Sequence, residues 1–218
     1  MHIPDGYLDP WVAVAFWLGS GVAIGVAVRR ARSELGDERT PLLGVVAAGI
    51  FAAQMLNWPI PGGTSAHFVG GAFAGILLGP SLGVLAMTAV VTIQALVFGD
   101  GGIVALGGNL FVMAVVDVLV GYVLFRALRG IHKPGAAFVA GWGAITLSAL
   151  AVGVGVGLSS AFAYELSVTV PILVVGHALL GLVEGAITAA VYGSVANARP
   201  DLVLGRLEDD ALAAEVDL

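Results

Sequence analysis

Residues 67–98, HFVGGAFAGILLGPSLGVLAMTAVVTIQALVF, decide how often this chain crosses a membrane. The stretch is apolar almost throughout, but Gly79-Pro80 interrupts it. Proline disfavours helical backbone in the residue before it and cannot donate the hydrogen bond of a helix interior. The part before the break, 67–79, is too short to span a membrane as an ordinary helix, which needs about 20 apolar residues. The stretch is therefore either one broken span or a hairpin of two helices.

Positive charge favours the hairpin. Five other apolar stretches lie at 11–28, 41–56, 104–125, 136–163 and 167–195. Cytoplasmic loops of membrane proteins carry an excess of Lys and Arg. With helices at 67–79 and 81–98 and the N-terminus outside, all nine basic residues lie on the cytoplasmic side: Arg29, Arg30, Arg32, Arg39, Arg126, Arg129, Lys133, Arg199 and Arg206. We therefore predict an all-α bundle of seven transmembrane helices, with the N-terminus outside and the C-terminus cytoplasmic.

The composition places the chain in a membrane. It is 59% hydrophobic and 11% charged, with a mean hydropathy of +1.01, whereas a soluble domain is about 25% charged. The absence of cysteine excludes disulfides, thiolate zinc sites and iron–sulfur clusters. Most of the net charge of −6 comes from residues 201–218, which hold six acids and one arginine. We interpret 1–197 as one membrane-embedded domain and 198–218 as an acidic cytoplasmic tail.

The first two residues, Met1-His2, form a metal-chelating sequence. The α-amine of Met1, the backbone nitrogen of His2 and the Nδ1 atom of His2 can bind one ion through five- and six-membered rings. These three nitrogens lie in one plane and leave a fourth position open. Tetragonal nitrogen ligation suits Ni(II) and Cu(II), and Co(II) is a plausible neighbour. A histidine at the second position can also be accidental.

The loop Asn57–His67 lies between the second and third predicted helices, and its Pro and Gly residues exclude a continuous helix. We predict an ordered or re-entrant outer loop that brings His67 to the side of His2. His67 can supply the fourth nitrogen, or it can simply cap the loop. Thr64 or Ser65 can cap the third helix. Hydrogen bonds that support the ligands are expected from polar residues near the outer side: Gln54, Asn57, Ser65 and Asn109.

Three ionisable residues lie within predicted helices. His177 and Glu184 are seven residues apart, which puts them on one helix face, and Asp117 lies deep in the fifth helix. Such groups usually face the interior of a bundle. They suit either a metal or proton path or hydrogen bonds between helices. We expect the hydrogen bonds, and we do not expect these residues to be direct metal ligands.

Several motifs together resemble the CbiM/NikM family, the substrate-binding membrane components of energy-coupling-factor transporters for cobalt and nickel. They are MHIPDGYL at the start, PGGTSAH at 61–67, GDGG at 99–102 and GGN at 107–109. The resemblance covers the chain to about residue 197. It implies a nearly square-planar site in which the Met1 amine, the His2 backbone and side-chain nitrogens and His67 bind Ni²⁺ or Co²⁺ as the transported substrate. The acidic tail matches no motif of the family.

The resemblance also implies partner subunits. These are a transmembrane coupling subunit, a pair of cytosolic ATPases and often a small accessory membrane subunit. Residues 23–27 of the first helix, with Ala23 and Ala27, resemble the small-residue patch that docks on the coupling subunit. This chain has no nucleotide motif, so we expect no bound nucleotide and no enzymatic activity on it. The resemblance further implies that the chain captures the ion outside and occludes it, and that ATP hydrolysis in the partner subunits drives its release inside.

Three other classes of membrane protein are alternatives to this function. A stand-alone secondary metal permease remains the main alternative, although such transporters tend to show inverted repeats, and none is evident here. A membrane metalloenzyme would use His177 and Glu184, but the chain has no HExxH motif. A retinal photoreceptor is excluded because the only lysine, Lys133, lies in a predicted loop. The sequence does not decide between nickel and cobalt.

Overall fold

The computed structural model describes residues 1–36, 39–56, 58–60 and 64–203. The helices in these ranges are α1 (Pro10–Glu34), α2 (Arg39–Gln54), α3 (Gly71–Ile93), α4 (Leu106–Asn109), α5 (Asp117–Leu128), α6 (Lys133–Gly157) and α7 (Leu166–Ala198). Two π-helical segments, Gln94–Phe98 and Leu110–Val116, extend α3 and join α4 to α5. Strands β1 (Trp58–Ile60) and β2 (Thr64–Ala66) pair antiparallel between α2 and α3. A 3-10 helix, Pro200–Leu202, follows α7.

Long apolar helices dominate the described residues, which confirms an all-α class apart from the short strand pair. Five helical stretches in these ranges are long and apolar enough to cross a membrane: Pro10–Glu34, Gly71–Phe98, Leu106–Leu128, Lys133–Gly157 and Leu166–Ala198. Helix α2 is apolar but has only 16 residues. The helical stretch that corresponds to the predicted span 104–125 runs from Leu106 to Leu128. The one that corresponds to the last predicted span, 167–195, runs from Leu166 to Ala198.

Helix α3 is broken at the predicted place. Gly79 has φ 82° and ψ 172°, a conformation outside the helical region that glycine adopts without a Cβ clash. A Cβ placed on Gly83 would lie 3.1 Å from the Cα of Gly75, so the parts before and after Gly79 fold back against each other. In a straight helix these residues would be about 12 Å apart. Counting both halves gives seven crossings, and that number stays a prediction.

The two ends of the bundle differ in charge. Arg39 and Leu42 at the start of α2 surround a small cavity together with Leu77, Leu82 and Asp201. The tip of the α3 hairpin therefore lies at the same end as the C-terminus of α7. Eight basic residues lie at the helix termini of this end, which we call the basic end: Arg29, Arg30, Arg32, Arg39, Arg126, Arg129, Lys133 and Arg199. The ninth, Arg206, lies outside the described residues.

The opposite end, which we call the site end, contains residues 1–9 and the loops 99–105 and 158–165. Helix α6 ends at Gly157, six residues before the end of the apolar run 136–163. At Gly157 a Cβ would lie 2.9 Å from the Cα of Leu166, so the backbones of α6 and α7 meet here. At Gly153 the corresponding distance to Val170 is 3.1 Å. Small residues permit this close approach of helices in lipid.

Candidate metal centre

The first three residues are inserted into the site end. Met1 and Ile3 are 7% and 2% exposed, and the side chain of His2 is 5% exposed. Asn109 in α4 accepts a hydrogen bond from the Ile3 N–H at 2.7 Å and donates one to the Ile3 carbonyl at 3.1 Å. The Gly102 N–H donates to the same carbonyl at 3.0 Å. The position of the N-terminus is therefore fixed through its main chain, and the supporting role of Asn109 at a metal site stays a prediction.

The GDGG motif makes room for the N-terminal segment. Gly101 has φ +98°, and a Cβ there would lie 2.8 Å from Nδ2 of Asn109. A Cβ on Gly102 would overlap the side chain and backbone of Asp5. Both glycines are therefore needed for the close approach of this loop to residues 1–5. The loop packs against the N-terminal segment of the same chain.

Two aspartates that the sequence did not single out also hold this segment. The Asp5 carboxylate accepts hydrogen bonds from the N–H groups of Ile103 and Ala105, each at 3.0 Å. Asp9 accepts from the N–H groups of Ser160 and Ala161 at 2.9 and 3.0 Å, and these bonds keep its pKa below the ordinary value. Asp9 precedes Pro10, a pattern typical of a helix start, but its partners are on the distant α6–α7 loop.

His67 lies directly beside the N-terminal amine. Its Nε2 is 2.8 Å from the nitrogen of Met1. Its Nδ1 is 2.8 Å from the carbonyl oxygen of Phe68, and a carbonyl can only accept, so Nδ1 carries the hydrogen. The lone pair of His67 is therefore on Nε2 and points toward Met1. The rings of His2 and His67 stack with centroids 4.9 Å apart.

His2 presents the opposite ring nitrogen. Its Nε2 is 3.1 Å from the side-chain carbonyl Oε1 of Gln94, so Nε2 donates and Nδ1 carries the lone pair. This Nδ1 is buried and has no hydrogen-bond partner among the described residues. Oδ1 of Asp100 lies 3.4 Å away. Buried polar atoms are normally satisfied, so this unsatisfied nitrogen leaves a lone pair that a ligand can occupy.

Burial keeps the nitrogen donors neutral. It lowers the pKa of the Met1 amine to about 5, although Asp100 partly opposes the shift. Burial, with repulsion from the nearby amine, also lowers the pKa of His2 and of His67 well below the usual range. All three groups therefore offer lone pairs at neutral pH, as metal ligands must.

The spacing of the donors suits a planar metal site. Two nitrogens at right angles, each about 2.0 Å from a metal ion, lie about 2.8 Å apart. Met1 and His67 have that separation, and His2 presents a bare Nδ1 next to them. No group of three or more His, Cys, Asp or Glu side chains in the described part of the chain can hold a metal ion. A site here therefore depends on main-chain nitrogens as well as side chains.

The backbone after His67 is held by side chains from two helices. The Glu184 carboxylate accepts from the N–H groups of Val69 and Gly70 at 2.9 and 2.8 Å. Gln54, 0% exposed, donates from Nε2 to the carbonyl of Val69. Both side chains thus support His67 through its own segment. The role of Gln54 in support of a metal ligand stays a prediction, and for Glu184 the sequence left a metal or proton path as the alternative to a structural role.

Asp117 and His177 are not beside the four nitrogens. Asp117 accepts from the N–H of Ala72 at 3.0 Å and from the hydroxyl of Ser148 at 3.1 Å, so it connects three helices. The Nδ1 of His177 is 2.9 Å from the carbonyl of Leu173, one turn earlier in α7. His177 instead lines a cavity next to His2.

Asn57 lies outside the described residues, and Ser65 belongs to β2, so their supporting roles stay predictions. Ala27 is only 5% exposed and packs in the core, so it cannot contribute to a docking surface; Ala23 is half-buried. The prediction missed Gln94 and Asp100, because their relation to His2 exists only in three dimensions.

The chain matches the family described as CbiM, cobalt uptake substrate-specific transmembrane region, over residues 2–202. It is 76% identical over 218 residues to a protein of Haloquadratum walsbyi named "putative metal transport protein", covering 100% of both chains. It is 56% identical to the "putative fused nickel transport protein NikMN" of Archaeoglobus fulgidus, covering 99% of this chain and 72% of that protein. The cobalt transport protein CbiM of Sorangium cellulosum is 32% identical, with 98% of both chains covered.

Solved structures give the same result. A crystal structure of a truncated transition metal transporter matches 90% of this chain and 99% of that chain, with a TM-score of 0.85 and 33% identity. Fold and sequence define a multi-pass membrane protein, the substrate-specific component of a cobalt or nickel uptake system. The chain belongs to the CbiM family.

Proposed function

We propose that this chain captures one Ni²⁺ or Co²⁺ ion from outside the cell for ATP-driven uptake by an energy-coupling-factor transporter. The four ligands are the Met1 amine, the backbone nitrogen and Nδ1 of His2, and Nε2 of His67. One observation carries this assignment: the Met1 nitrogen and Nε2 of His67 are 2.8 Å apart, beside a buried, unpartnered Nδ1 of His2.

Charge balance supports the same site. Binding through the backbone nitrogen of His2 removes its proton, so a divalent ion with this ligand has a net charge of +1. The carboxylate of Asp100 lies 3.4 Å from Nδ1 of His2 and has one buried oxygen, Oδ2, without a partner among the described residues. An adjacent negative charge offsets the positive chelate where the dielectric constant is low.

The arrangement of charge supports the orientation. Eight basic residues lie at the basic end of the bundle, and the positive-inside rule places that end in the cytoplasm. The site end, with Met1, then faces outside. The hairpin at Gly79 allows seven crossings, which this orientation requires.

The coupling to ATPases rests on relatives and on a helix surface. The A. fulgidus relative is named as a fused nickel transport protein, and this chain covers 72% of it, which suggests that this chain works with further components. On α1, Gly21 and Gly25 have open space where a Cβ would be, and Val22 is 70% exposed. This face replaces Ala27 as the docking surface for the coupling subunit, since small residues permit close helix packing in lipid.

Transport assays test the function. In proteoliposomes with the chain alone, we expect no nickel or cobalt accumulation under either a proton gradient or a membrane potential. Adding the coupling subunit and both ATPases should produce uptake that requires ATP on the basic-end side. A matched sample with ATPases that cannot hydrolyse ATP is the control. Gradient-driven uptake by the chain alone would instead establish the alternative, a stand-alone secondary permease.

Metal affinity should fall as pH falls. Because the folded amine has a pKa of about 5 and both imidazoles are neutral, the only proton lost on binding near pH 7 is that of the His2 backbone. One released proton makes the apparent affinity fall about tenfold for each unit of decreasing pH, and more steeply below about pH 5 as the amine takes up a proton.

Calorimetry in buffers with different ionisation enthalpies measures this proton count. A count of one at pH 7 is expected. A count of zero would remove the His2 backbone nitrogen from the ligand set. A count of two or more would mean that the amine or an imidazole is protonated before binding.

A further inference from the structure

A large cavity lies beside the proposed metal ligands. Its volume is about 560 Å³, and it reaches Met1 and His2 at one side. Tyr7 and Tyr164, which are 39% and 59% exposed, line it near the surface of the site end. The cavity therefore connects the surface with a site whose own side chains are buried.

The cavity is large enough for a metal ion that still carries its water. Six water molecules occupy roughly 180 Å³, taking about 30 Å³ for each. The site itself offers no such room, because the side chain of His2 is 5% exposed and stacks on His67. An incoming ion must therefore exchange water for protein ligands in or next to the cavity.

Two side chains of the kinds that can bind divalent metals line the cavity outside the four-nitrogen set. His177 donates through Nδ1 to the carbonyl of Leu173, so its lone pair is on Nε2. Asp100 lines the same cavity, and its buried Oδ2 has no partner in the described part of the chain. Imidazole and carboxylate are ordinary ligands for divalent transition metals. The proposed four-nitrogen site does not use Nε2 of His177.

We infer that this cavity is the entry vestibule for the hydrated cation, and that His177 is a transient ligand which replaces part of its water before the ion moves to Met1, His2 and His67. Asp100 attracts the cation along the same route. The inference rests on the proposed function. In this scheme His177 lowers the barrier to binding and to dissociation equally, and it contributes nothing to the final complex.

Stopped-flow spectroscopy tests the vestibule. The visible absorption of planar nickel measures association, and a chase with excess EDTA measures dissociation. In detergent-solubilised full-length protein with native Met1, His177→Ala should slow association about tenfold or more. Dissociation should slow by the same factor, so that Kd changes by less than about threefold. His177→Gln keeps the side-chain volume and a donor for Leu173, and it should behave in the same way.

His132→Ala is the matched control, because His132 lies at the start of α6, at the basic end. It should leave both rates unchanged. Unchanged association in the His177 variants would overturn the inference, as would faster dissociation alone, since that is the behaviour of a ligand in the final complex. Failure of the proposed function is distinct: the wild-type protein would then bind no stoichiometric nickel or cobalt at all.

Discussion

An extension of several residues ahead of Met1 is expected to abolish tight metal binding. It turns the Met1 amine into an amide and moves the free amine out of chelating reach of His2, whereas a single added residue would place this histidine third and give it a new planar set of four nitrogens. The extension also has no room, since Met1 is 7% exposed and its nitrogen lies 2.8 Å from Nε2 of His67. Elemental mass spectrometry on purified protein with a C-terminal tag should find near-stoichiometric nickel or cobalt with native Met1. The extended form should retain less than about a tenth of it.

A cleavable extension provides the control. The extended protein, cut by a protease that restores Met1 as the first residue, should regain its metal. This rescue separates loss of the amine from misfolding. Equal metal content in the native and extended forms would remove Met1 from the site and direct attention to His177 and Glu184. The metal that copurifies also addresses the choice between nickel and cobalt.

His67→Ala should weaken metal binding by at least roughly 100-fold, because it removes a ligand rather than a residue that orients one. His177→Ala should change Kd by less than about threefold, since His177 lies in the vestibule and not among the four nitrogens. Competition against a chelator of known affinity gives both constants. The comparison is well matched, because both substitutions remove one buried imidazole.

Two further measurements are controls for this prediction. His132→Ala should bind metal like the wild type, which would show that loss of a histidine elsewhere in the chain does not weaken binding. The His67 and His177 variants should have similar melting temperatures without metal, which would show that a folding defect does not cause their difference in metal affinity. If His177→Ala proved the more damaging change, the metal site would have to be moved into the cavity beside α7.

Part of the fold follows from local rules. The interruption at Gly79-Pro80 is a backbone effect of two neighbouring residues, so the sequence alone predicts it. The end of α6 was placed too late, because the apolar run continues to 163 while the helix stops at Gly157. The reason is tertiary: Ser160 and Ala161 turn back to donate to Asp9, 151 and 152 residues away.

The candidate site shows the same division. His2 and His67 were predicted as ligands because a terminal chelate and a rigid loop are visible in the sequence. Gln94, which selects the tautomer of His2, was missed because the two residues are 92 positions apart. Glu184 had been expected to be a structural group or part of a path, and its bonds to Val69 and Gly70 could not be predicted from α7 alone.

The sequence by itself determined the membrane class, the helical break and the chemistry of the amino terminus. These depend on composition, on the backbone preferences of Gly and Pro, and on the adjacency of Met1 and His2. Only the tertiary structure decided which nitrogen of each histidine is free and how the N-terminus is held. It also decided that Ala27 is buried rather than available for docking. Those properties depend on hydrogen bonds and packing between segments far apart in the chain, which no local pattern encodes.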